Sequence, residues 1–270
     1  MTSELDKTTL LQQIDNGLFP GGVHLFDCVD STNEWAGAEL RQGRATPFVC
    51  IADQQSKGRG RRGRHWISPP GANIYLSIAW HFTLPAEKLG LLSLAQGVAV
   101  IRALTNSGVY GAWLKWPNDV FVKHNKIAGI LVETSQLRAS SCNVVIGIGV
   151  NYRMPVDAMP ESGIRWTDVV HAGSGPAPDR NSLAIALITE AVTMCDHYQK
   201  KALSIFEELQ AELGALTGKD VNLHLDSGDQ LSGTVLGINQ RGELRVRVHG
   251  HERVFNSADV SLRQVHNADN

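Results

Sequence analysis

The hydrophobic periodicity of the chain changes once, near residue 215, and this change constrains the fold more than any other feature. Before it, short apolar runs alternate with stretches whose apolar residues recur at helical spacing, as expected for the strands of one sheet and the helices packed against it. After it, apolar and polar residues alternate in short runs such as VNLHL, LSGTVLGI and LRVRV, separated by turns rich in Gly and Asp. The sequence therefore predicts an α/β core over residues 1–215 and a small β-barrel over residues 216–270.

The composition is that of an ordinary globular protein, with 43% hydrophobic and 19% charged residues among 270. These values exclude wholesale disorder, collagen and coiled coil. The four cysteines (Cys28, Cys50, Cys142 and Cys195) are widely spaced, so neither a disulfide framework nor a zinc site is indicated. The first residues are polar and acidic, and no apolar run of roughly 18 residues is visible, so we expect a cytoplasmic protein without a membrane partner.

The positive charge of the chain is concentrated in one short segment. Five basic residues lie within eight positions that contain no acid, namely Lys57, Arg59, Arg61, Arg62 and Arg64. Without these five, 20 of the 25 basic residues remain against 27 acidic ones, a balance of −7. A nucleic-acid-binding protein would spread its charge over a face. One positive focus on an acidic body instead indicates a site for a small anion.

The basic segment Gln55–Trp66 also carries three glycines and directly follows the apolar run PFVCIAD. Glycines let backbone amides approach a ligand closely, and guanidinium groups supply forked donors for phosphate or carboxylate. The spacing fits neither a P-loop nor a dinucleotide-binding fingerprint. The alternative is an Arg/Gly segment that follows a nucleic-acid backbone. We favour the anion site because the segment lies between two apolar strands.

A second candidate group is Lys115–Asp119, in which Pro117 ends regular structure and leaves Asn118 and Asp119 at a corner. The amide could read a base or ribose, and the carboxylate could hold Mg²⁺. The alternative is a hairpin turn whose Asn and Asp bond their own backbone. Lysines beside this corner, Lys115 and Lys126, favour an anion because a lysine at a buried strand end is otherwise costly. For Lys126, ordinary packing of its aliphatic stem remains the alternative.

Two further patterns are weaker. Ser31 followed by Glu34 forms a capping box, which predicts a strand-to-helix corner over Asp30–Asn33. Gly147-Ile-Gly149-Val-Asn151 is a glycine-bearing strand against which a flat ligand could pack, although glycine in a strand can equally mark a bulge.

Taken together, Asp30–Asn33, Gln55 with GRGRRGRHW, LKWPNDV, KIAGILVE and GIGVN resemble, in this order, the biotin protein ligases. These bacterial enzymes attach biotin to the carrier domain of biotin-dependent carboxylases. The resemblance covers about residues 25–266. It implies an α+β fold of the class II synthetase type, with a mixed β-sheet flanked by helices and a C-terminal SH3-like β-barrel. The residues before Leu25 are too few for the DNA-binding helix-turn-helix that some members carry, so a monofunctional ligase is expected.

The resemblance also implies roles for individual residues. Biotin contacts are expected from Ser31, Thr32, Gln55, Gly58, Arg59, Lys126 and Gly129. ATP and adenylate contacts are expected from Arg61, Arg64, Trp66, Asn118, Asp119, Asn151 and Arg263, with Arg61, Asp119 and Lys126 as catalytic residues and Asp119 as the Mg²⁺ ligand.

The expected reaction has two steps, formation of biotinyl-5'-AMP from biotin and ATP, then transfer to a lysine of a biotin carboxyl carrier protein domain. Three alternatives remain open: a lipoate-type protein ligase, an RNA-binding protein that uses the Arg/Gly segment, and a degenerate ligase kept as a binding protein. The acidic remainder of the chain argues against RNA and DNA as partners. Exposed sheet edges would allow a homodimer.

Overall fold

The computed structural model describes residues 5–14, 16–155, 158, 165–173, 175–225, 227–257 and 260–264. The larger part is a seven-stranded sheet in the order β1-β2-β3-β7-β6-β5-β4. Its strands are β1 (Val23–Val29), β2 (Phe48–Gln55), β3 (Asn73–Phe82), β4 (Ala112–Lys115), β5 (Asp119–Val122), β6 (Asn125–Ser135) and β7 (Cys142–Asn151). β1 pairs with β2 in parallel and the other pairs are antiparallel, so the sheet is mixed, as predicted.

The central strands are nearly continuous apolar runs because they are covered on both faces. In β2, for example, Phe48 packs toward one face, in a cluster with Ala36 and Leu40, while Val49 and Ile51 belong to the larger core on the other face. The helices are α1 (Lys7–Gln13), α2 (Thr32–Arg41), α3 (Leu92–Asn106), α4 (Val169–Ala172), α5 (Arg180–Lys201), α6 (Ile205–Glu208) and α7 (Gln210–Leu213).

Helix starts follow the capping rules. Ser31 is the N-cap of α2 and accepts from the Glu34 amide at 3.5 Å, as the capping box predicts. The N-cap of α5 is Asp179, whose carboxylate accepts from the Ser182 amide at 2.9 Å. A carboxylate is an equally good cap and also favours the positive end of the helix dipole.

The apolar stretch 86–106 is split into a 3-10 turn, Ala86–Leu89, and α3. Among the described residues, this stretch is long and apolar enough to cross a membrane by length and composition, although it contains no uninterrupted apolar run of that length. However, 67% of its most apolar 18-residue segment is buried inside the protein. α3 packs between α5 and the sheet, so it is a core helix.

The chain after residue 216 forms a separate five-stranded antiparallel sheet in the order β11-β10-β9-β8-β12. The strands are β8 (Asp220–Leu225), β9 (Gln230–Ile238), β10 (Leu244–Val248), β11 (His251–Phe255) and β12 (Val260–Gln264). This confirms the antiparallel meander expected of a small β-domain. It touches the first sheet where the buried Trp116 indole donates to the Gly242 carbonyl at 2.9 Å.

Candidate active site

A cavity of about 670 Å³ lies against the ends of β2, β6 and β7. Twelve of the predicted site residues line it: Ser31, Thr32, Gln55, Arg59, Arg61, Arg64, Trp66, Asn118, Asp119, Lys126, Gly129 and Asn151. Gly58 is buried beside it, where a Cβ would lie 2.3 Å from the Trp66 carbonyl oxygen, so only glycine fits. The side chain of Arg263 lies outside the described residues, and only its place on β12 is known.

The inner end of the cavity is polar but carries no net charge. The Thr32 amide and hydroxyl lie 2.9 and 3.1 Å from the Gln55 side-chain oxygen. The Gln55 side-chain nitrogen donates to the Ser68 hydroxyl at 3.1 Å, and the Ser77 hydroxyl lies 2.8 Å from that of Thr32. These side chains are all buried, with Ser31 beside them. Such a set offers several donors and acceptors to a neutral polar group of a ligand.

The glycine-rich loop, residues 57–66, is a compact hairpin over the cavity. The Gly60 amide donates to the Arg64 carbonyl at 2.7 Å, and the Trp66 amide donates to the Gly58 carbonyl at 2.9 Å. Its tip needs positive φ angles, 59° at Arg62 and 68° at Gly63. At its root, Asp30 accepts from the Lys57 ammonium at 2.8 Å and from the Ser56 hydroxyl. These hydrogen bonds, Lys57 first, lower the pKa of the exposed Asp30 carboxyl.

Arg61 connects the loop with two other parts of the molecule. Its guanidinium donates to the Asn118 side-chain oxygen at 3.2 Å and to the Ser257 carbonyl of the C-terminal sheet. Burial first, then the neighbouring charge of Arg62, lowers the pKa of Arg61. A guanidinium nevertheless stays protonated in a protein, so Arg61 is a permanent cation at the rim of the cavity.

Lys126 and Asp119 form an ion pair 2.6 Å long, with 18% of each side chain exposed. They approach because β5 pairs with β6, with a bulge between Val120 and Phe121. The Lys126 ammonium also lies 5.0 Å from the centre of the Trp66 ring. A cation confined in this way can meet an incoming anion at little cost in side-chain entropy. Contact with an anion and packing of its stem both stay predictions for Lys126.

Asn118 and Asp119 lie at the turn of the β4–β5 hairpin, and their roles in a ligand site stay predictions. Lys115 pairs with Asp119 across the β4–β5 turn, and the Asn118 side chain donates to the Ile130 carbonyl at 2.8 Å. Both residues line the cavity all the same. Lys115 itself does not, since its ammonium lies 4.8 Å from the centre of the Phe121 ring. The face of the Phe121 ring stabilises the Lys115 ammonium, so the position of this lysine gives no support for an anion beside it.

Trp66 and the glycines of the sheet form the apolar wall. A Cβ would lie 2.7 Å from the Trp66 ring at Gly149 and 3.0 Å from it at Gly129. β7 pairs with β3 and β6 in unbroken register, so the glycines mark a close approach and no bulge. The indole nitrogen of Trp66 is buried and has no hydrogen-bond partner among the described residues. Asn151 ends β7 and donates to the Thr167 carbonyl at 3.0 Å.

Sequence reasoning missed three residues that the fold brings together at and behind the polar end of the cavity, of which only Asn33 lines it. Asn33 is buried and donates to the Glu133 carboxylate at 2.8 Å, although 100 residues separate the two in sequence. Ser77 lies 2.7 Å from the Asn33 side-chain oxygen. The available signals were the position of Asn33 in the first turn of α2, two residues after the cap, and the two-residue spacing that puts Glu133 on the Gly129 face of β6.

Comparison with known proteins supports the same interpretation. Residues 25–151 match the Biotin/lipoate A/B protein ligase family, and residues 217–263 match the Biotin protein ligase C terminal domain. The bifunctional ligase/repressor BirA of Escherichia coli K12 is 33% identical over 264 residues, which cover 96% of this chain and 78% of BirA. The chain belongs to the biotin protein ligase family. Membership makes it a ligase, as the sequence analysis expected.

Other relatives are consistent with this assignment. The biotin–[acetyl-CoA-carboxylase] ligase of Mycobacterium tuberculosis is 33% identical over 218 residues, with 78% of this chain and 77% of that protein covered. Among solved structures, the Aquifex aeolicus biotin protein ligase in complex with biotin and ATP superposes with a TM-score of 0.72 at 25% identity. That match covers 90% of this chain and 99% of the Aquifex chain. The similarity extends over the seven-stranded sheet and the C-terminal sheet.

Proposed function

We propose that this protein uses ATP to activate biotin as biotinyl-5'-AMP and then transfers biotin to a lysine of a biotin carboxyl carrier protein domain. One observation carries the proposal: a neutral polar end, an apolar wall and a cationic rim share one continuous cavity. Biotin has a polar ring system, an aliphatic chain and a carboxylate in that order. The carboxylate would meet the rim, where the phosphates of ATP also need positive charge.

In the biotin half of the site, the side chains of Ser31, Thr32 and Gln55 would bind the polar rings, with Gly58 and the Arg59 backbone closing over them. Gly129 would let the aliphatic chain lie against backbone. The nucleotide half would use Arg61, Arg64, Trp66, Asn118, Asp119 and Asn151, with Arg263 reaching it from β12. Each of these roles is a proposal, inferred from the place of the residue in or near the cavity.

In the first step, a biotin carboxylate oxygen attacks the α-phosphorus of ATP, and the bond to the pyrophosphate oxygen breaks. Lys126 would contact both the carboxylate and the α-phosphate, and so hold the two anions together. Arg61 would neutralise charge that accumulates on the phosphate oxygens. The 2.6 Å ion pair with Asp119 orients the Lys126 ammonium before substrates arrive.

The described residues of the site could hold Mg²⁺ only together with the phosphates of the nucleotide. The described residues contain no group of three His, Cys, Asp or Glu side chains suited to a metal ion. Asp119 is a single carboxylate at the rim, and Mg²⁺ typically binds through one or two carboxylates together with substrate phosphates and water. Asp119 would hold the ion there. When bound, Mg²⁺ would offset the negative charge of the phosphates.

In the second step, the lysine amine of the carrier attacks the acyl carbon of the mixed anhydride, an amide bond forms, and AMP leaves. Water would destroy the anhydride, so the glycine-rich loop would exclude solvent until the carrier arrives. We also propose that the protein acts in the cytoplasm without binding DNA, and that its exposed sheet edges leave room for a homodimer. The similarity to the biotin–[acetyl-CoA-carboxylase] ligase of Mycobacterium tuberculosis supports an acetyl-CoA carboxylase carrier as substrate.

The decisive experiment measures the intact mass of a biotin carrier domain after incubation with the protein, Mg-ATP and either biotin or lipoate. We expect a single biotin addition that requires ATP and does not occur with lipoate. Addition of lipoate alone would make the protein a lipoate-type ligase. The RNA-binding alternative would be favoured by two results together. Neither acid would be added to the carrier, and the affinity for RNA would fall with salt concentration with a slope that corresponds to several charges.

A further inference from the structure

A continuous series of polar contacts runs beneath the cavity and joins the two ends of the glycine-rich loop. At the C-terminal end of the loop, the Ser68 hydroxyl donates to the Trp66 carbonyl at 2.9 Å. From Ser68 the series continues through Gln55, Thr32, Ser77, Asn33 and Glu133, with successive distances of 3.1, 3.1, 2.8, 2.7 and 2.8 Å. It ends where Glu133 pairs with the Arg59 guanidinium, near the N-terminal end of the loop.

Glu133 is the residue through which this series reaches the loop. One carboxylate oxygen accepts from Asn33 at 2.8 Å, and the other pairs with Arg59. The backbone of Glu133 is held in β6, opposite Val145 of β7. A side chain on a rigid strand therefore restrains a residue on a hairpin whose tip is built from glycine and arginine.

The position of Asn33 is equally restricted. Its side chain is 3% exposed, and it lies so close to β7 that a Cβ at Gly147 would be 2.2 Å from its side-chain oxygen. Its nitrogen donates to the Leu131 carbonyl at 3.2 Å as well as to Glu133. Asn33 therefore has few alternative conformations, and it presents Glu133 with a donor in one place.

We propose that Glu133, held by Asn33, is a positioning residue that keeps the glycine-rich loop over the cavity through its contact with Arg59. The proposal depends on the proposed function in one respect only, namely that the ligand retained by the loop is biotinyl-adenylate. Since Thr32 and Gln55 belong to the same series, a ligand that bonds to them also contacts the network that restrains the loop. Neither Glu133 nor Asn33 needs to touch the reacting atoms.

The first test needs no ligand. Trypsin cleaves after arginine, so the cleavage rate at Arg61–Arg64 in the intact protein reports how often the loop opens. Glu133→Gln keeps the size of the side chain and an acceptor for Asn33 but removes the charge that pairs with Arg59. An exposed pair is worth up to about 1 kcal/mol, so we expect cleavage about two- to fivefold faster.

The matched control is Glu39→Gln, which removes another carboxylate–guanidinium pair, with Arg44, at the far end of α2. Its loop should be cleaved at the wild-type rate. Arg59→Gln should accelerate cleavage as Glu133→Gln does, and the double variant should add little, because both remove one interaction. Wild-type cleavage in Glu133→Gln, or additive effects in the double variant, would overturn the proposal.

The second test follows the adenylate. In a pulse of biotin and ATP, Glu133→Gln should form biotinyl-adenylate at close to the wild-type rate but release it several-fold faster, and Glu133→Asp should restore part of the retention. Faster cleavage without any adenylate in the wild type would refute the proposed function and leave the role of Glu133 intact. If Glu133→Gln and the wild type were cleaved at the same rate while the wild type formed adenylate normally, the role of Glu133 alone would be refuted.

Discussion

At the scale of single residues, Lys126 is the side chain on which we expect the chemistry to depend most. Lys126→Ala should lose most adenylate formation while folding survives, since each charged hydrogen bond contributes about 1.5–3 kcal/mol. Pyrophosphate release with biotin and ATP measures the loss, and thermal unfolding checks the fold. Lys115→Ala is the matched control, because Lys115 lies on Phe121 outside the cavity and should leave the rate unchanged. Normal rates in Lys126→Ala would mean that its stem merely packs.

Arg61 makes a second prediction at this scale. Replacement by glycine removes the contacts with Asn118 and Ser257, together with a permanent cation at the rim. Arg61→Gly should therefore release biotinyl-adenylate and biotinylate lysines of unrelated proteins. Biotin blotting of a bystander protein measures this labelling. Arg62→Gly, at a position with φ of 59° that suits glycine, is the control in the same loop and should label only the carrier. Strict carrier labelling by Arg61→Gly would show that the loop does not retain the adenylate.

At the scale of elements, the glycines of β7 let Asn33 of α2 and the Trp66 ring approach this strand closely. A Cβ at position 147 would lie 2.2 Å from the Asn33 side-chain oxygen, so Gly147→Ala must displace a buried side chain. We expect weaker biotin binding in titration calorimetry and a loss of about 1–3 kcal/mol in the free energy of unfolding. Gly214→Ala, where no atom lies within 4 Å of the added Cβ, should change neither. Unchanged binding in Gly147→Ala would mean that α2 shifts without affecting the cavity.

At the scale of the whole molecule, the C-terminal sheet contacts the seven-stranded sheet through Trp116. Trp116 is 1% exposed and its indole donates to the Gly242 carbonyl. Trp116→Phe leaves that carbonyl without its buried donor, so we expect a loss of about 1–3 kcal/mol, seen as a lower Tm. Trp113→Phe is the control, because its indole donates at 2.8 Å to the Lys123 carbonyl in a more exposed part of the same hairpin, where water can replace it. Equal losses would contradict a special role for the contact between the sheets.

Much of the fold and part of the site follow from short segments. The N-cap at Ser31 and the alternating strands after residue 216 depend on a few neighbouring residues, and each lies where it was expected. The turn after residue 115 is the hairpin that the sequence analysis held as an alternative. Cap residues and alternating strand faces act through local hydrogen bonds and through burial of one face, which a sequence displays directly. The domain boundary near 215 and the absence of a DNA-binding segment stay predictions.

The rest of the site depends on contacts between distant parts of the chain. Lys115 and Lys126 both flank apolar strands, yet only the strand pairing places Lys126 in the cavity and Lys115 on Phe121. Asn33 and Glu133 meet across 100 residues. No local preference encodes such meetings, because they follow from the order of strands in the sheet and from side-chain packing.

The sequence by itself determined the two architectures, the positively charged loop and the kinds of groups that the site contains. Periodicity, glycine spacing and the placement of charge are properties of short stretches, and they remain visible without a structure. Only the tertiary structure decided that the loop lies over a cavity with one polar and one cationic end, and that Glu133 meets Arg59 of this loop. Those features arise where β6, β7 and α2 pack against one another, since close packing gives each side chain its partners.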